Sequence, residues 1–205
     1  MQAVIMSVVI FLFAACSPVP EKTDDDAPGK ETAEEAAEEK EEEDTEEETV
    51  SVTIPASFLH FTGVDAQETA DSYLDYCENA YVEEGNVILN LREKQKENIQ
   101  EMNEDYIEEV LGELQETDEK YSCQLSDDYG SVTYTYDADI GQMLQAKLLL
   151  GVTSMHALNG MLENGGGDWN IEVTVVSSQT GETVGHGVLP GDEINFDMEE
   201  LGREE

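Results

Sequence analysis

The most reactive side chains in this 205-residue sequence belong to three cysteines and three histidines. Cys16 follows an apolar run near the start, whereas Cys77 and Cys123 lie in the part of the chain that can build a core. No histidine is close to either of the latter in sequence, so neither is predicted to be a catalytic nucleophile. In an oxidising compartment Cys77 and Cys123 can form a disulfide or remain separate buried thiols, and the sequence leaves both alternatives open.

The three histidines, His60, His156 and His186, do not share a spacing typical of metal ligands. We expect His60 in a loop and His186 in a strand. His156 lies within an apolar helical pattern, where we expect a hydrogen-bonded residue of the core. The histidines therefore predict neither a metal site nor a cofactor.

Two pairs of aspartates raise the question of a calcium site. Asp127 and Asp128 occur in "SDDYG", and Asp137 and Asp139 precede a helical pattern. Neither pair offers the alternating oxygen ligands, central glycine and terminal glutamate of an EF-hand loop. Turn formation and helix capping explain aspartate at these positions, so no metal site is predicted.

Sequence motifs of common enzyme classes are also missing. Gly-x-Ser-x-Gly does not occur, and "GGGDW" at 165–169 lacks the lysine and the strand-to-helix context of a phosphate-binding loop. With 49 Asp and Glu residues, pairs of carboxylates arise by chance and do not indicate a glycosidase. The sequence favours a non-enzymatic protein and leaves enzymatic activity open.

Cys16 and the residues before it indicate export. The run "AVIMSVVIFLFAA" is shorter than the roughly 20 residues that a membrane-spanning helix needs, so residues 1–15 are predicted to be a signal peptide. The small Ala14 and Ala15 ahead of Cys16 resemble the lipobox of bacterial lipoproteins, in which the cysteine receives a diacylglycerol and becomes the N-terminus. The resemblance implies that Cys16 is the lipidation site.

The lipobox pattern departs from the usual one in two respects. Phe13 occupies a position where leucine is usual, and no Lys or Arg precedes the apolar run. The alternatives are an ordinary secretory signal with an incidental cysteine and an uncleaved anchor. We favour the lipoprotein because the apolar run ends at Cys16 and a polar, proline-containing segment follows it.

The segment after Cys16 predicts a spacer between membrane and domain. Residues 17–49 contain 16 acidic and three basic residues, and they cannot bury enough apolar surface to offset the entropy of ordering. Residues 16–49 are thus predicted to be the lipidated cysteine and a disordered acidic linker, the alternative being a strip that collects cations or basic partners. The formal net charge of −40 disfavours binding to nucleic acid or anionic lipid headgroups.

Residues 50–198 are predicted to form a single domain, followed by an acidic tail at 199–205. Alternating apolar and polar residues predict its strands. The predicted strands are 50–54, 79–82, 86–91, 121–125, 131–136, 168–176 and 183–189, and "EINFDMEELGREE" can add an edge strand.

Helical periodicity predicts three helices. The first runs from Ala66 to about Tyr76 with Asp65 as its cap, the second from Arg92 to about Gln115, and the third from about Asp139 to Glu163. The apolar stripe of the second comprises Ile99, Met102, Tyr106, Ile107, Val110, Leu111 and Leu114. Together the elements predict an α+β fold, an antiparallel sheet of β-hairpins with two long helices packed on one face.

Most of the chain resembles the surface lipoproteins of Firmicutes. These combine a signal peptide, a lipobox cysteine, an acidic tether, an opening strand like "VSVTIPASF" and a later strand like "GSVTYTY" that leads into a long helix. The resemblance implies a protein held by lipid on the extracytoplasmic face of the cell membrane. It implies no assigned activity and no catalytic residues.

Two functions fit these observations. The first is a non-enzymatic binding or envelope-interaction module, whose partner is a protein, a cell-wall fragment or a small molecule and whose contacts lie on the solvent side or edge of the sheet. The alternative is a cell-envelope hydrolase whose site is assembled only in three dimensions. Besides this partner, the protein would contact the membrane through its N-terminal lipid.

Overall fold

The computed structural model describes residues 48–117, 121–136, 147–192 and 194. The predicted signal peptide, Cys16, almost all of the acidic linker and the acidic tail lie outside the described residues, as do Asp137 and Asp139. Residues 139–146 of the third predicted helix and all of the possible edge strand at 193–205 except Ile194 lie outside them as well. The described strands are β1 Thr49–Ile54, β2 Asn79–Glu83, β3 Asn86–Arg92, β4 Ser122–Leu125, β5 Ser131–Tyr136, β6 Ile171–Ser177 and β7 Thr183–Leu189. The described helices are α1 Ala56–Thr62, α2 Ala66–Tyr73, α3 Glu93–Thr117 and α4 Thr153–Asn164, which continues a π-helical segment at Lys147–Val152.

The predicted α+β class and its three β-hairpins are confirmed. Strands β2 and β3 pair antiparallel through a turn in which Glu84 and Gly85 have φ angles of 51° and 84°. Two positive φ angles are typical of the tight turns that match the twist of a hairpin. The pairs β4–β5 and β6–β7 are antiparallel as well.

The strands form two sheets, in the orders β1-β3-β2 and β4-β5-β6-β7. Within the second sheet β5 and β6 are parallel, from Ser131 opposite Glu172 to Tyr136 opposite Ser177. Parallel neighbours need a crossover connection, and the helical segment 147–164 lies between these strands in the chain. The hydrophobic pattern identifies each hairpin but does not show how two hairpins join.

Gly166 lies in the connection after α4 and packs on β1. Thr53 N donates to Gly165 O at 3.3 Å, and Gly167 N donates to Thr53 O at 3.1 Å. A Cβ on Gly166 would collide with the backbone of Thr53, and its φ of +83° is one that glycine adopts without strain. The glycine run is therefore a structural connection between β1 and the end of α4.

A single hydrophobic core lies between the sheets and the helices. On β5, Val132, Tyr134 and Tyr136 are buried, while the alternate residues Ser131, Thr133 and Thr135 are only half-buried, as the period of two predicts. The long helices α3 and α4 pack against each other, α3 also contacts β3, and α4 contacts β1 and β6. Helices thus pack against sheets, as the predicted α+β class requires.

Helices α1 and α2 show one error and one success of the sequence interpretation. Asp65 caps α2, its Oδ1 accepting from Gln67 N at 2.8 Å and Glu68 N at 3.1 Å, although the helix ends at Tyr73 rather than Tyr76. Helix α1 begins directly after Pro55 and was not predicted, so the expectation that His60 lies in a loop was wrong. Within the described ranges, every helix is too short or too polar to cross a membrane.

The apolar stripe of α3 differs from the prediction at one position. Met102 is 37% exposed, whereas its neighbour Asn103 is only 7% exposed and faces α4. Asn103 Nδ2 donates to Asn159 Oδ1 at 2.7 Å, and Asn159 is buried as well. A polar residue can occupy the interface between the two helices because it forms a hydrogen bond with a residue of the other helix.

Candidate functional site

A cleft with a volume of about 430 Å³ lies between α3, the β4–β5 turn and α4, and it is called the His156 cleft below. Three of its lining residues are apolar: Ile107, Leu111 and Leu125. Three are exposed acids: Glu104, Glu108 and Asp127. The remaining lining residues are polar or aromatic: Ser126, Tyr129, His156 and Asn159.

The turn "SDDYG" forms one wall of the cleft. Hydrogen bonds within the turn stabilise its conformation. Ser126 Oγ accepts from Ser131 N at 2.8 Å, and Asp128 Oδ1 accepts from Gly130 N at 3.0 Å. Tyr129 N donates to Ser126 O at 3.1 Å. These bonds hold Tyr129 at a φ of 60°, a left-handed conformation that is rare for an aromatic residue.

Gly160 on α4 makes room for this tyrosine. A Cβ at position 160 would lie 2.7 Å from Cβ of Tyr129, closer than such carbons approach in real structures. The glycine therefore lets the turn pack directly on the helix. Tyr129 also contacts the ring of His156, with centroids 5.1 Å apart and an angle of 52° between the planes.

His156 is one of the four polar or aromatic residues that line the cleft. Its side chain is 4% exposed, and Nε2 has no hydrogen-bond partner among the described residues. Burial lowers the pKa of His156, whereas a hydrogen bond to the backbone of Ser126 and the charge of Asp128 act in the opposite direction. Because the bond to the Ser126 carbonyl needs an N–H donor, we assign the proton to Nδ1, which leaves Nε2 with a free lone pair.

Asp127 and Asp128 have the turn role that the sequence predicted. Hydrogen bonds from the Ser126 hydroxyl and then from Gly130 N lower the pKa of Asp128. No three His, Cys, Asp or Glu side chains in the described part of the chain are grouped so as to hold a metal ion.

A second, smaller cleft of about 220 Å³ shares Tyr129 with the first. It is lined by Asp128, Asn164, Asp168 and Trp169, among others. Trp169 is anchored by its Nε1, which donates to Ser57 Oγ at 3.1 Å, and by edge contact with Phe58. The anchored indole of Trp169 thus lines a cleft that adjoins Tyr129.

The two cysteines of the domain, considered as a disulfide pair from sequence, are free thiols in the structure. Cys77 is buried after α2, where its Sγ donates to Tyr73 O at 3.0 Å. Cys123 lies on β4 opposite Tyr134, in the other sheet. Burial raises the pKa of Cys77 and raises that of Cys123 to about 11, so neither forms a thiolate readily at neutral pH.

The other two histidines lie apart from the cleft. His60 is exposed on α1. His186 lies on β7, as predicted, with Nε2 2.8 Å from Glu172 Oε1 across the strand pair. Cross-strand pairing places Gln124, Thr133, Thr174 and His186 in one row on the solvent side of the second sheet.

Sequence reasoning found His156 and the turn aspartates but missed Tyr129, Asn103 and Asn159. The left-handed conformation of Tyr129 has a weak signal in "DYG", where turn residues surround it. Asn103 and Asn159 are 56 residues apart, so only the packing of the helices brings them together. Comparisons of the chain with protein-family models, with curated proteins and with solved structures found no match.

Proposed function

We propose that this protein is a lipid-anchored, extracytoplasmic surface protein that acts by binding a ligand in the His156 cleft. The observation that carries the proposal is the buried Nε2 of His156, which has no partner among the described residues. Buried polar groups in proteins are nearly always hydrogen-bonded. A ligand that donates a hydrogen bond to Nε2 would remove this deficit and gain affinity from doing so.

Shape and composition support the same proposal. The cleft volume lies within the range of small-molecule sites, and apolar walls with a few converging polar groups are typical of such sites. The cleft lies at one end of the β4–β5 hairpin rather than on the flat face of the sheet. The sequence favoured contacts on the solvent side or edge of the sheet, whereas the proposed contacts lie at the junction of turn and helices.

The proposed anchor is Cys16, directly after the predicted signal peptide. Metabolic labelling with a lipid precursor should mark the wild-type protein and should be absent from Cys16→Ser. The variant should also be released from the membrane fraction. Lipid labelling of Cys16→Ser would contradict the lipoprotein proposal. It would not affect the proposal that the cleft binds a ligand.

A cell-envelope hydrolase is the second candidate, and His156 is the observation that favours it. A neutral imidazole with a free Nε2 is the form that a general base needs in order to activate water. Against a nucleophilic mechanism, the Ser126 hydroxyl accepts from Ser131 N and bonds Asp128. Both cysteines have raised pKa values.

The full mature chain should be screened against cell-wall fragments, peptides and common hydrolase substrates. A ligand of the cleft should bind wild type and His60→Gln equally but lose most of its affinity to His156→Phe, which keeps a ring without the nitrogens. Unchanged affinity of His156→Phe would contradict the proposed site. Turnover of a substrate, lost in His156→Phe while the fold stays intact, would instead establish the hydrolase.

A further inference from the structure

The charge of the His156 cleft limits what it can bind. Glu104 and Glu108 lie one turn apart on α3, and Asp127 lies on the turn opposite them. No lysine or arginine occurs among the described residues that line the cleft. The lowered pKa of His156 keeps its ring neutral at pH 7, so the lining carries three negative charges and no positive one.

The carboxylates are close enough to influence the same group. Burial raises the pKa of the Tyr129 phenol first, and the charges of Glu104, Glu163 and Asp127 raise it further. Lys96 acts in the opposite direction, but its Nζ already pairs with Glu93 at 2.7 Å and Glu163 at 3.4 Å. The carboxylates therefore make the surroundings of Tyr129 negative, and Lys96, the one cation among these groups, is already paired.

The hydrogen-bonding groups of the cleft are mainly acceptors. His156 Nε2 is an acceptor, and ionised carboxylates can only accept. The Oδ1 of Asn159 is already used by Asn103. An ammonium group, with three N–H donors and one positive charge, matches this set.

The apolar lining indicates that the ammonium group is attached to an alkyl chain. Ile107 is buried, and Leu111 and Leu125 are half-buried beside it. A flexible alkyl chain can lie against such side chains while its charged end reaches the acceptors, as lysine side chains do in proteins. A bare metal ion is a poorer match because the described residues offer no group of three ligands.

We propose that the His156 cleft binds a primary alkylammonium group, which donates a hydrogen bond to His156 Nε2 and is attracted by the negative charges of Glu104, Glu108 and Asp127. This inference rests on the proposed binding function of the cleft. The group can come from a lysine side chain of a peptide or from a free diamine. Both sources share the chemistry that the cleft recognises.

Calorimetric titration of the full mature chain tests the inference with small probes. Nα-acetyl-lysine amide represents the peptide and 1,4-diaminobutane the free amine. Nα,Nε-diacetyl-lysine amide is the control, since it keeps the alkyl chain but removes the charge. At least one of the two amines should bind, and the diacetyl compound should bind at least about tenfold more weakly, because a charge-assisted hydrogen bond is lost.

Matched variants locate the binding. Glu104→Gln with Glu108→Gln removes two charges from the cleft, and Glu101→Gln with Glu109→Gln removes two exposed charges from the same helix outside the cleft lining. The first pair should weaken amine binding at least about tenfold, and the second should change it only about twofold. Stronger binding of the peptide lysine than of the diamine would identify a peptide as the source, and the reverse a free amine.

The failures of the two proposals are distinguishable. If no amine binds but another ligand is found whose affinity depends on His156, the alkylammonium inference is wrong and the cleft remains the binding site. Equal weakening by both double variants would also overturn the inference, because binding would then follow net charge alone. Ligand binding that is insensitive to both His156→Phe and the cleft variants would remove the basis of both proposals.

Discussion

Gly160 and Gly112 lie on α4 and α3 and differ in what an added methyl group would contact. At Gly160 the new carbon would meet Cβ of Tyr129 at 2.7 Å, whereas at Gly112 nothing lies within 4 Å. Gly160→Ala should therefore lower the free energy of unfolding by about 1–3 kcal/mol through overpacking. Gly112→Ala should raise it by roughly 0.5–1 kcal/mol, because alanine is the better helix former.

Urea unfolding of both variants measures these differences, and binding measurements report the effect on the cleft. Gly160→Ala should also weaken any ligand of the His156 cleft, because Tyr129 must move. If Gly160→Ala proved as stable as wild type, the close packing of the turn on α4 would be contradicted. Gly112→Ala serves as the control for a general effect of alanine in a helix.

The pKa of His156 predicts a dependence of stability on pH. Burial lowers the folded-state pKa below the value of about 6.5 in the unfolded chain, so the unfolded chain binds the proton more readily. The contribution of His156 to the free energy of unfolding is thus fully present above about pH 6.5. It is lost as the pH falls from there to the folded-state pKa. The pKa of Asp128 is also lowered, so protonation of Asp128 causes a separate loss of stability below about pH 4.

Unfolding free energies at pH 7.5 and 5.5 test the histidine contribution. The difference between the two values should be smaller in His156→Phe than in wild type, whatever the variant does to overall stability. His60→Gln, changed at an exposed position, is the matched control and should retain the wild-type difference. An unchanged difference in His156→Phe would show that another group causes the pH dependence.

Residue-level sequence reasoning succeeded where one residue and its neighbours decide the outcome. His156 was predicted to be a hydrogen-bonded core residue because it interrupts an apolar helical pattern, and it is 4% exposed. The burial of Asn103 instead of Met102 depends on a partner 56 residues away. No local pattern contains that information, so the position was assigned wrongly.

At the level of elements, strands and hairpins were predictable because alternation and turn residues are local signals. The antiparallel hairpins and α3 lie close to their predicted bounds. Helix α1 was missed because it has only seven residues and follows a proline that also ends β1. The parallel pairing of β5 with β6 depends on tertiary packing and leaves no trace in the period of either strand.

Tyr134 connects β5 to the helical layer and provides a test of that packing. Its hydroxyl donates to Leu148 O at 2.8 Å and lies 2.9 Å from Thr153 Oγ1, and the side chain is fully buried. Tyr134→Phe should lower the free energy of unfolding by about 1–3 kcal/mol, because buried polar atoms lose a partner. Tyr81→Phe, at a residue 39% exposed, should change it by less than about 0.5 kcal/mol.

Equal effects of the two tyrosine substitutions would show that the hydroxyl of Tyr134 does not anchor the helix. Amide hydrogen exchange gives an independent readout. Protection in the segment 147–164 should fall in Tyr134→Phe and stay unchanged in Tyr81→Phe.

For the whole molecule, the cleft and the proposed anchor belong to different parts of the chain. The linker joins the domain at β1, which begins at Thr49 and is the first described element. The cleft is built from α3, the β4–β5 turn and α4, which come later in the sequence. A formal net charge of −40 makes attraction to a cationic ligand sensitive to salt, because the Debye length falls from about 10 Å at 0.1 M to about 3 Å at 1 M. In the proposed site, charge would favour encounter with a cation, and the groups around His156 would provide the selectivity.

The acidic linker should be dispensable for folding and for ligand binding. A chain that begins at residue 48 keeps all of β1 and both sheets, and it should melt at the same temperature in moderate salt as the mature chain with Cys16→Ser. The reason is that residues 17–47 carry few apolar side chains with which to dock on a domain of the same sign of charge. A melting temperature lower by more than a few degrees, or an altered affinity for a cleft ligand, would show instead that the linker packs on the domain and competes for its surface.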